Sequence, residues 1–222
     1  WWGKETIAIV TGGNRGIGFA VTKRLAELGI TVIFTARDEK KGIQALELLR
    51  NYNEASFADN IHFYLLDISD PLSISAFASW FNLTFGLLDI LNVKNQSIRA
   101  ILEDEENLTE ERIEGVINLF LKHVKEGKWE NEGWPNEWTD YSVSKLALNA
   151  YSKMLARRLR DKNIAVNCFC PGFTKTGMTG GIGSRTADIA GDVGAKLALL
   201  PPQCLDTGKF TMGKSLNLHS RF

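Results

Sequence analysis

Short apolar runs alternate along the chain with longer segments of helical period. The first three runs are typical of buried β-strands, and we predict strands at 7–10, 31–36 and 61–66. Between them, apolar residues recur on one helical face, as at Ile43, Leu46 and Leu49. This alternation of strands and helices predicts an α/β fold with a doubly wound parallel sheet.

The first strand runs into a glycine-rich turn that opens a helix. Gly12, Gly16 and Gly18 follow the strand with the spacing G-x-x-x-G-x-G. Because glycines lack a Cβ, the backbone can approach a ligand closely, and the N–H groups at the helix start attract negative charge. The stretch predicts a phosphate-binding turn, although glycine turns that only close a β–α unit have a similar composition.

Two arginines bear on which dinucleotide such a turn would bind. Arg37 follows the second strand, where a dinucleotide fold presents a residue to the adenosine ribose, and Arg15 lies inside the glycine turn. An acidic residue after the strand would favour the 2′-hydroxyl of NAD, whereas arginines favour a 2′-phosphate. We therefore predict NADP(H) as the cofactor. In the other interpretation Arg37 is a solvated charge, and Asp38 caps the next helix in either case.

A tyrosine and a lysine share one face of the long helix predicted at 139–160. Tyr141 and Lys145 are four residues apart, which places them one helical turn from each other. An ammonium at this distance favours the phenolate form of the tyrosine and suits it to act as an acid or a base. An ordinary surface pair of tyrosine and lysine has the same spacing.

These two motifs, in this order, resemble those of the short-chain dehydrogenase/reductase family. TGGNRGIG resembles the family's T-G-x-x-x-G-x-G turn, and Tyr141 to Lys145 resembles its Y-x-x-x-K. The likeness covers nearly the whole chain and is strongest to the plant carbonyl-reductase-like group that includes salutaridine reductase, neomenthol dehydrogenase and isopiperitenone reductase. It implies NADPH-dependent reduction of a ketone, aldehyde or enone, with Tyr141 as the acid and Lys145 as its partner.

The resemblance also implies which residues contact the cofactor. Asp67 and Ile68, after the third strand, resemble residues around the adenine ring, and Asp67 is equally suited to a capping role before Pro71. Residues 171–176 resemble the P-G-x-x-x-T segment beside the nicotinamide and the pyrophosphate. The complete set of implied cofactor residues is Gly12, Asn14, Arg15, Gly16, Ile17, Gly18, Arg37, Asp67, Ile68, Pro171, Gly172, Thr174 and Thr176.

The chain departs from the family after its fourth strand. Residues 88–90 resemble the start of the fourth strand and 91–93 the middle of the fifth, with Lys94 where the catalytic serine motif should begin. The Asn-Asn-Ala-Gly segment, a long helix and the serine have no counterpart. We therefore predict an internal deletion near residues 90–94 and a sheet that lacks one strand and one helix. A catalytically impaired or inactive nucleotide-binding relative is the alternative function, and a chain that never folds well is a third hypothesis.

Residues 95–138 form a helical and aromatic insertion in a chain that we otherwise predict to be a single dinucleotide-binding domain of residues 1–222. Thr109 is the predicted cap of a helix in this insertion. In the plant carbonyl-reductase-like group such an insertion covers the substrate cleft and the helices that pair in oligomeric relatives, so the resemblance implies a monomer. The tryptophans of the insertion are suited both to line an apolar pocket and to anchor packing.

Composition and charge narrow the classes of function. The 222 residues are 44% hydrophobic and 23% charged, with 26 basic and 26 acidic residues, so the chain has no electrostatic signature for nucleic acid or an anionic membrane. No apolar run reaches the roughly 18 residues that a membrane span needs, and the cysteines lack metal-ligand spacing. We expect a cytoplasmic protein that holds no metal and acts on a small apolar carbonyl substrate.

Overall fold

Strands and helices alternate along the chain as the sequence predicts. A computed structural model describes residues 2–52, 58–84, 90–92, 108–132, 134, 139–162, 164–201 and 206–212. Its strands are β1 Ile7–Thr11, β2 Thr31–Ala36, β3 Ile61–Leu65, β4 Ile90–Asn92, β5 Cys168–Cys170 and β6 Phe210–Met212. Its helices are α1 Gly16–Glu27, α2 Glu39–Arg50, α3 Pro71–Thr84, α4 Glu110–Lys125, α5 Thr139–Arg158 and α6 Ala187–Ala198.

The described residues divide into two compact units. Those of 1–93 and 171–201 form the first unit, and those of 94–170 and 202–215 form the second. The predicted joint of the deletion lies partly outside the described residues, as Val93 and Lys94 do. A single domain over the whole chain stays a prediction.

The first unit contains a parallel sheet of four strands in the order β3-β2-β1-β4. Ala8 of β1 is paired with Val32 of β2 on one side and with Ile90 of β4 on the other. Because parallel strands end at the same edge of a sheet, the segments that follow β1, β2 and β3 lie along one edge. The glycine turn, Arg37 and Asp67 therefore lie at the carboxyl edge of the sheet.

Helices cover both faces of this sheet. Ala8 and Val10 of β1 join a buried cluster with residues of α1, α2 and α6, whereas Ile9 joins a second cluster with Phe77 and Phe81 of α3. Successive residues of a strand point to opposite faces, so the two clusters require cover on both sides. This confirms the predicted doubly wound α/β fold.

The buried face of α2 agrees with the prediction except at Ile43. Ile43 is 46% exposed, and the buried residues of the helix are Gly42, Ala45 and Leu49. A Cβ on Gly42 would lie 2.1 Å from the Phe63 ring. The ring thus occupies the space beside Gly42. The helix therefore faces the sheet with Gly42, and Ile43 faces solvent.

In the second unit, α4 and α5 pack around one apolar cluster. Leu108, Ile113 and Val116 contact Leu146 and Met154 in this cluster. The Thr109 hydroxyl accepts a hydrogen bond from the Arg112 N–H at 3.3 Å, which confirms the predicted cap. β5 and β6 form a separate parallel pair. The division of the described strands between two sheets agrees with the predicted loss of a strand.

The contact between α1 and α6 combines small residues with an ion-pair network. A Cβ on Gly191 would lie 2.6 Å from the Cβ of Ala20, so the two helices are in close contact. Asp192 accepts a hydrogen bond from Arg24 Nε at 2.8 Å and pairs with Lys196 Nζ at 2.9 Å. Burial alone would raise the pKa of the Asp192 carboxyl, but the bonds from Lys196 and Arg24 together outweigh it and lower the pKa.

Asp192→Asn is expected to lower the melting temperature at neutral pH by about 1 to 4 °C, because partly exposed ion pairs contribute little. The folded state depresses the pKa, so the carboxylate stabilises the fold above the ordinary value of 3.8, and this stabilisation is lost as the pH falls through the folded-state pKa. Melts at neutral and acidic pH check this. The melting temperatures of the variant and of wild type should converge in acid, and Asp206→Asn is the control. A difference in melting temperature that persists in acid would contradict the prediction.

Within the described residues, no helix is both long and apolar enough to cross a membrane. The same residues contain no group of three or more histidine, cysteine, aspartate or glutamate side chains placed to hold a metal ion.

Candidate functional site

The turn between β1 and α1 needs its glycines for two different reasons. Gly12 and Gly16 have φ angles of 66° and 56°, a left-handed conformation that other residues rarely adopt. Gly18 instead lies against Gly12, and a Cβ on it would be 2.4 Å from the Gly12 carbonyl oxygen. The shape of the turn therefore depends on glycine at all three predicted positions.

A fourth glycine, Gly13, belongs to the turn and was missed by sequence reasoning. Its N–H donates to the Thr35 carbonyl oxygen at 3.0 Å, and a Cβ on it would lie 2.5 Å from the Cβ of Phe34. Gly13 thus holds the turn directly against β2. The doubled glycine in TGG was the signal that could have found it.

The start of α1 has no acidic side chain that would compete with an anion. Arg15 precedes the helix in an extended conformation without a side-chain capping bond, and the first turn contains no acidic residue. The N–H groups at a helix start lack intrahelical partners, and the helix dipole favours negative charge there. Arg15 is exposed, and Asn14 and Ile17 on either side of it are half-buried. The arrangement suits a phosphate.

The ends of β2 and β3 bring Arg37 close to Asp67. Hydrogen bonds from the Ser69 hydroxyl and N–H, at 2.6 and 2.9 Å, lower the pKa of the Asp67 carboxyl, and the charge of Arg37 adds to this effect. The Asp67 side chain therefore closes the turn before α3. The carboxylate that caps α3 is that of Asp70, so the capping role predicted for Asp67 is wrong. Ile68 beside it is 68% exposed. Contact of Asp67 and Ile68 with an adenine ring stays a prediction.

Asp38, which follows Arg37, interacts with the first turn of α2. The Asp38 carboxylate accepts a hydrogen bond from the Lys41 N–H at 3.1 Å and pairs with Lys41 Nζ at 3.1 Å. This confirms Asp38 as the cap of α2. Arg37 is thus the exposed charge at the end of β2.

Residues 171–176 reach the glycine turn within the first unit. A Cβ on Gly16 would lie 3.4 Å from Cγ2 of Thr176. Thr174 is buried, and its hydroxyl donates to the Gly172 carbonyl oxygen at 2.9 Å. Gly172, which follows Pro171, has a φ of 75°. The structure thus brings the P-G-x-x-x-T segment and the glycine turn together.

Tyr141 and Lys145 lie one turn apart on α5, in the second unit. Lys145 Nζ is 5.3 Å from the centroid of the Tyr141 ring, within the range of a cation–π contact. Burial lowers the pKa of the Lys145 ammonium, whereas Tyr141 is 41% exposed. The Ser144 hydroxyl donates a hydrogen bond to the Tyr141 carbonyl oxygen at 2.8 Å. The pair combines an accessible hydroxyl with a nearby positive charge.

One tryptophan of the insertion is a packing anchor. Trp134 Nε1–H donates to His123 Nδ1 at 3.0 Å, and its ring meets that of Phe120 edge-on with centroids 5.1 Å apart. Both partners belong to α4. Trp138 lies outside the described residues, so the pocket-lining role stays a prediction for it.

A parallel sheet covered on both faces, with a glycine turn after its first strand, is typical of dinucleotide-binding α/β proteins. The chain belongs to the short-chain dehydrogenase/reductase family, whose members are oxidoreductases. Residues 6–126 match the family described as short chain dehydrogenase, and residues 129–199 match the one described as Enoyl-(Acyl carrier protein) reductase.

Similar proteins support this assignment. (+)-Neomenthol dehydrogenase of Arabidopsis thaliana is 31% identical over 95% of this chain and 97% of that protein. (−)-Isopiperitenone reductase of Mentha piperita is 30% identical over 89% and 93%. Carbonyl reductase [NADPH] 1 of Mus musculus is 27% identical over 95% and 97%. The solved structure of salutaridine reductase from Papaver somniferum is 29% identical, with a TM-score of 0.84 over 93% of this chain and 99% of that one. The predicted likeness to the plant carbonyl-reductase-like group is confirmed.

The alignment with neomenthol dehydrogenase spans 289 positions, more than the 222 residues of this chain. The chain therefore lacks internal residues that this relative has. This agrees with the predicted deletion.

Proposed function

We propose that this protein is an NADPH-dependent reductase of small apolar ketones, aldehydes or enones. The pair of Tyr141 and Lys145 on α5 carries the proposal. It combines an exposed phenol with a cation 5.3 Å from the ring centroid in a member of an oxidoreductase family. Relatives named carbonyl reductase, isopiperitenone reductase, salutaridine reductase and neomenthol dehydrogenase support the substrate class.

The residues at the carboxyl edge of the sheet fit a phosphorylated dinucleotide. The open space beside Gly12, the uncapped start of α1 and Thr176 beside Gly16 would hold the pyrophosphate. Arg15 and Arg37 would hold the 2′-phosphate, with Asp67 and Ile68 beside the adenine. Asn14, Ile17, Pro171, Gly172 and Thr174 complete the proposed cofactor residues. When bound, NADPH supplies the hydride for the carbonyl carbon.

The chain itself would supply one proton, from the Tyr141 hydroxyl. The Tyr141 hydroxyl donates a hydrogen bond to the carbonyl oxygen of the substrate and then its proton. The phenolate that remains is stabilised by the positive charge of Lys145. Because the serine that would also polarise the carbonyl has no counterpart in the sequence, we expect a rate lower than in full-length relatives by on the order of a hundredfold.

We further propose that the protein acts as a cytoplasmic monomer. The insertion that contains α4 supports this, since the resemblance implies that it covers the helices through which oligomeric relatives pair. Sedimentation of the purified protein tests the monomer, and a dimer at micromolar concentration would contradict it.

The first test is a thermal melt with NADPH, with NADH and without ligand, followed by turnover on a panel of apolar carbonyl compounds. A ligand that binds only the folded state raises the melting temperature. A larger shift with NADPH, together with NADPH oxidation by one of the carbonyls, would support the proposal. Binding without turnover would favour the inactive relative. The absence of any shift would overturn the proposed function.

Arg37→Met is expected to weaken NADPH binding about tenfold or more and to leave NADH binding unchanged. The reason is the loss of a charge-assisted bond that only the 2′-phosphate makes. Calorimetric titration with both dinucleotides measures this. Lys4→Met is the control, because Lys4 precedes β1 and therefore lies at the opposite edge of the sheet. Equal weakening of both dinucleotides would contradict the assignment.

A further inference from the structure

The segment 173–185 returns to the P-G-x-x-x-T motif and places an arginine beside it. The Ser184 N–H donates to the Phe173 carbonyl oxygen at 2.8 Å, and the Lys175 N–H donates to the Arg185 carbonyl oxygen at 2.9 Å. Arg185 also forms an isolated parallel bridge with Thr174. The backbone of Arg185 is therefore fixed against the motif.

The guanidinium of Arg185 lies on the face of Gly172 from which a side chain would project. A Cβ on Gly172 would be 3.4 Å from both Cζ and Nε of Arg185 and 3.6 Å from Nη2. A side chain at position 172 would thus be in van der Waals contact with the guanidinium. The planar group therefore lies beside Gly172.

The guanidinium of Arg185 differs from those of the structural arginines. Arg24 pairs with the Asp192 carboxylate, and Arg157 donates to the Leu108 carbonyl oxygen at 2.7 Å. Within the part of the chain that the structure describes, Arg185 is half-buried and has no such acceptor. Its donors are therefore available to a ligand that carries negative charge.

We propose that Arg185 is a further cofactor-binding residue and that its guanidinium pairs with the pyrophosphate of the dinucleotide. The proposal rests on the proposed function and goes beyond the family motifs, which do not include position 185. One contact supports the pyrophosphate as the partner. Thr176 of the same segment lies against Gly16 at the start of α1, and helix starts of this kind bind phosphates. Arg185 then adds a full positive charge to a site that otherwise offers backbone N–H groups.

The test compares Arg185→Met and Arg185→Lys with wild type by calorimetric titration of NADPH and NADH. The pyrophosphate is common to both dinucleotides, so Arg185→Met should weaken both by a similar factor of about tenfold or more. Arg185→Lys should recover part of the loss, since it keeps the charge but not the planar fork. The unliganded melting temperature should not change, because no acceptor of Arg185 in the described residues is lost.

Lys4→Met is the control, because Lys4 is an exposed cation that precedes β1 and therefore lies at the opposite edge of the sheet. It should bind both dinucleotides as wild type does. If Arg185→Met binds both dinucleotides like wild type, or weakens NADPH alone, the inference is overturned while the proposed function stands. If the wild-type protein binds neither dinucleotide, the proposed function is overturned, and the inference with it.

Discussion

Gly18→Ala is expected to destabilise the protein by about 3 kcal/mol and to abolish detectable NADPH binding. The added Cβ would lie 2.4 Å from the Gly12 carbonyl oxygen, 3.0 Å from its carbonyl carbon and 3.2 Å from the Cα of Gly13. All three are backbone atoms, so no side-chain rotation relieves the clash. The turn must open, and the N–H groups that it presents must move with it.

Gly115→Ala provides the matched control, since it makes the same exchange inside another helix. Gly115 lies within α4, and a Cβ there would have no atom within 4 Å. Alanine in a helix interior is more stable than glycine by about 0.5–1 kcal/mol, so this variant should melt above wild type. Calorimetric melts and NADPH titration of both variants measure the contrast. Destabilisation of both variants by similar amounts would show that the steric argument for Gly18 is wrong.

The local structure of the first unit could be predicted from sequence because each element carries its own signals. The run that became β2 was predicted with its observed bounds, Thr31–Ala36, since β-branched and aromatic residues fill it. Asp38 caps α2 through the side-chain bond typical of its residue type, and Thr109 caps α4 of the second unit in the same way. Such signals act within four residues and need no knowledge of the rest of the fold.

Contacts between distant segments could not be predicted in this way. Gly13 is required by Phe34, and Gly42 is required by the ring of Phe63, but neither requirement is visible in the local sequence. The exposure of Ile43 has the same origin, because helical period identifies an apolar face without showing which neighbour fills the space beside it. Arg185 was missed for a related reason, since only the return of segment 173–185 places it beside Gly172.

The chemistry at Tyr141 is expected to depend on one hydroxyl. Tyr141→Phe should lower kcat/KM for carbonyl reduction about a hundred- to ten-thousandfold, the range for removal of a general acid. Because the side chain is 41% exposed, loss of the hydroxyl should leave the melting temperature and the Kd for NADPH unchanged. Oxidation of NADPH with an apolar ketone or aldehyde measures the rate, and calorimetry measures the Kd.

Two further variants separate the acid from its surroundings. Tyr151→Phe removes a hydroxyl from the same helix at a residue that packs against the cluster between α4 and α5, and it should keep the wild-type rate. Lys145→Met should lower the rate and also weaken NADPH binding, since the resemblance implies that Lys145 holds the nicotinamide ribose. A Tyr141→Phe protein with the wild-type rate would place the acid elsewhere. A Lys145→Met protein with unchanged NADPH affinity would confine that lysine to stabilising the phenolate.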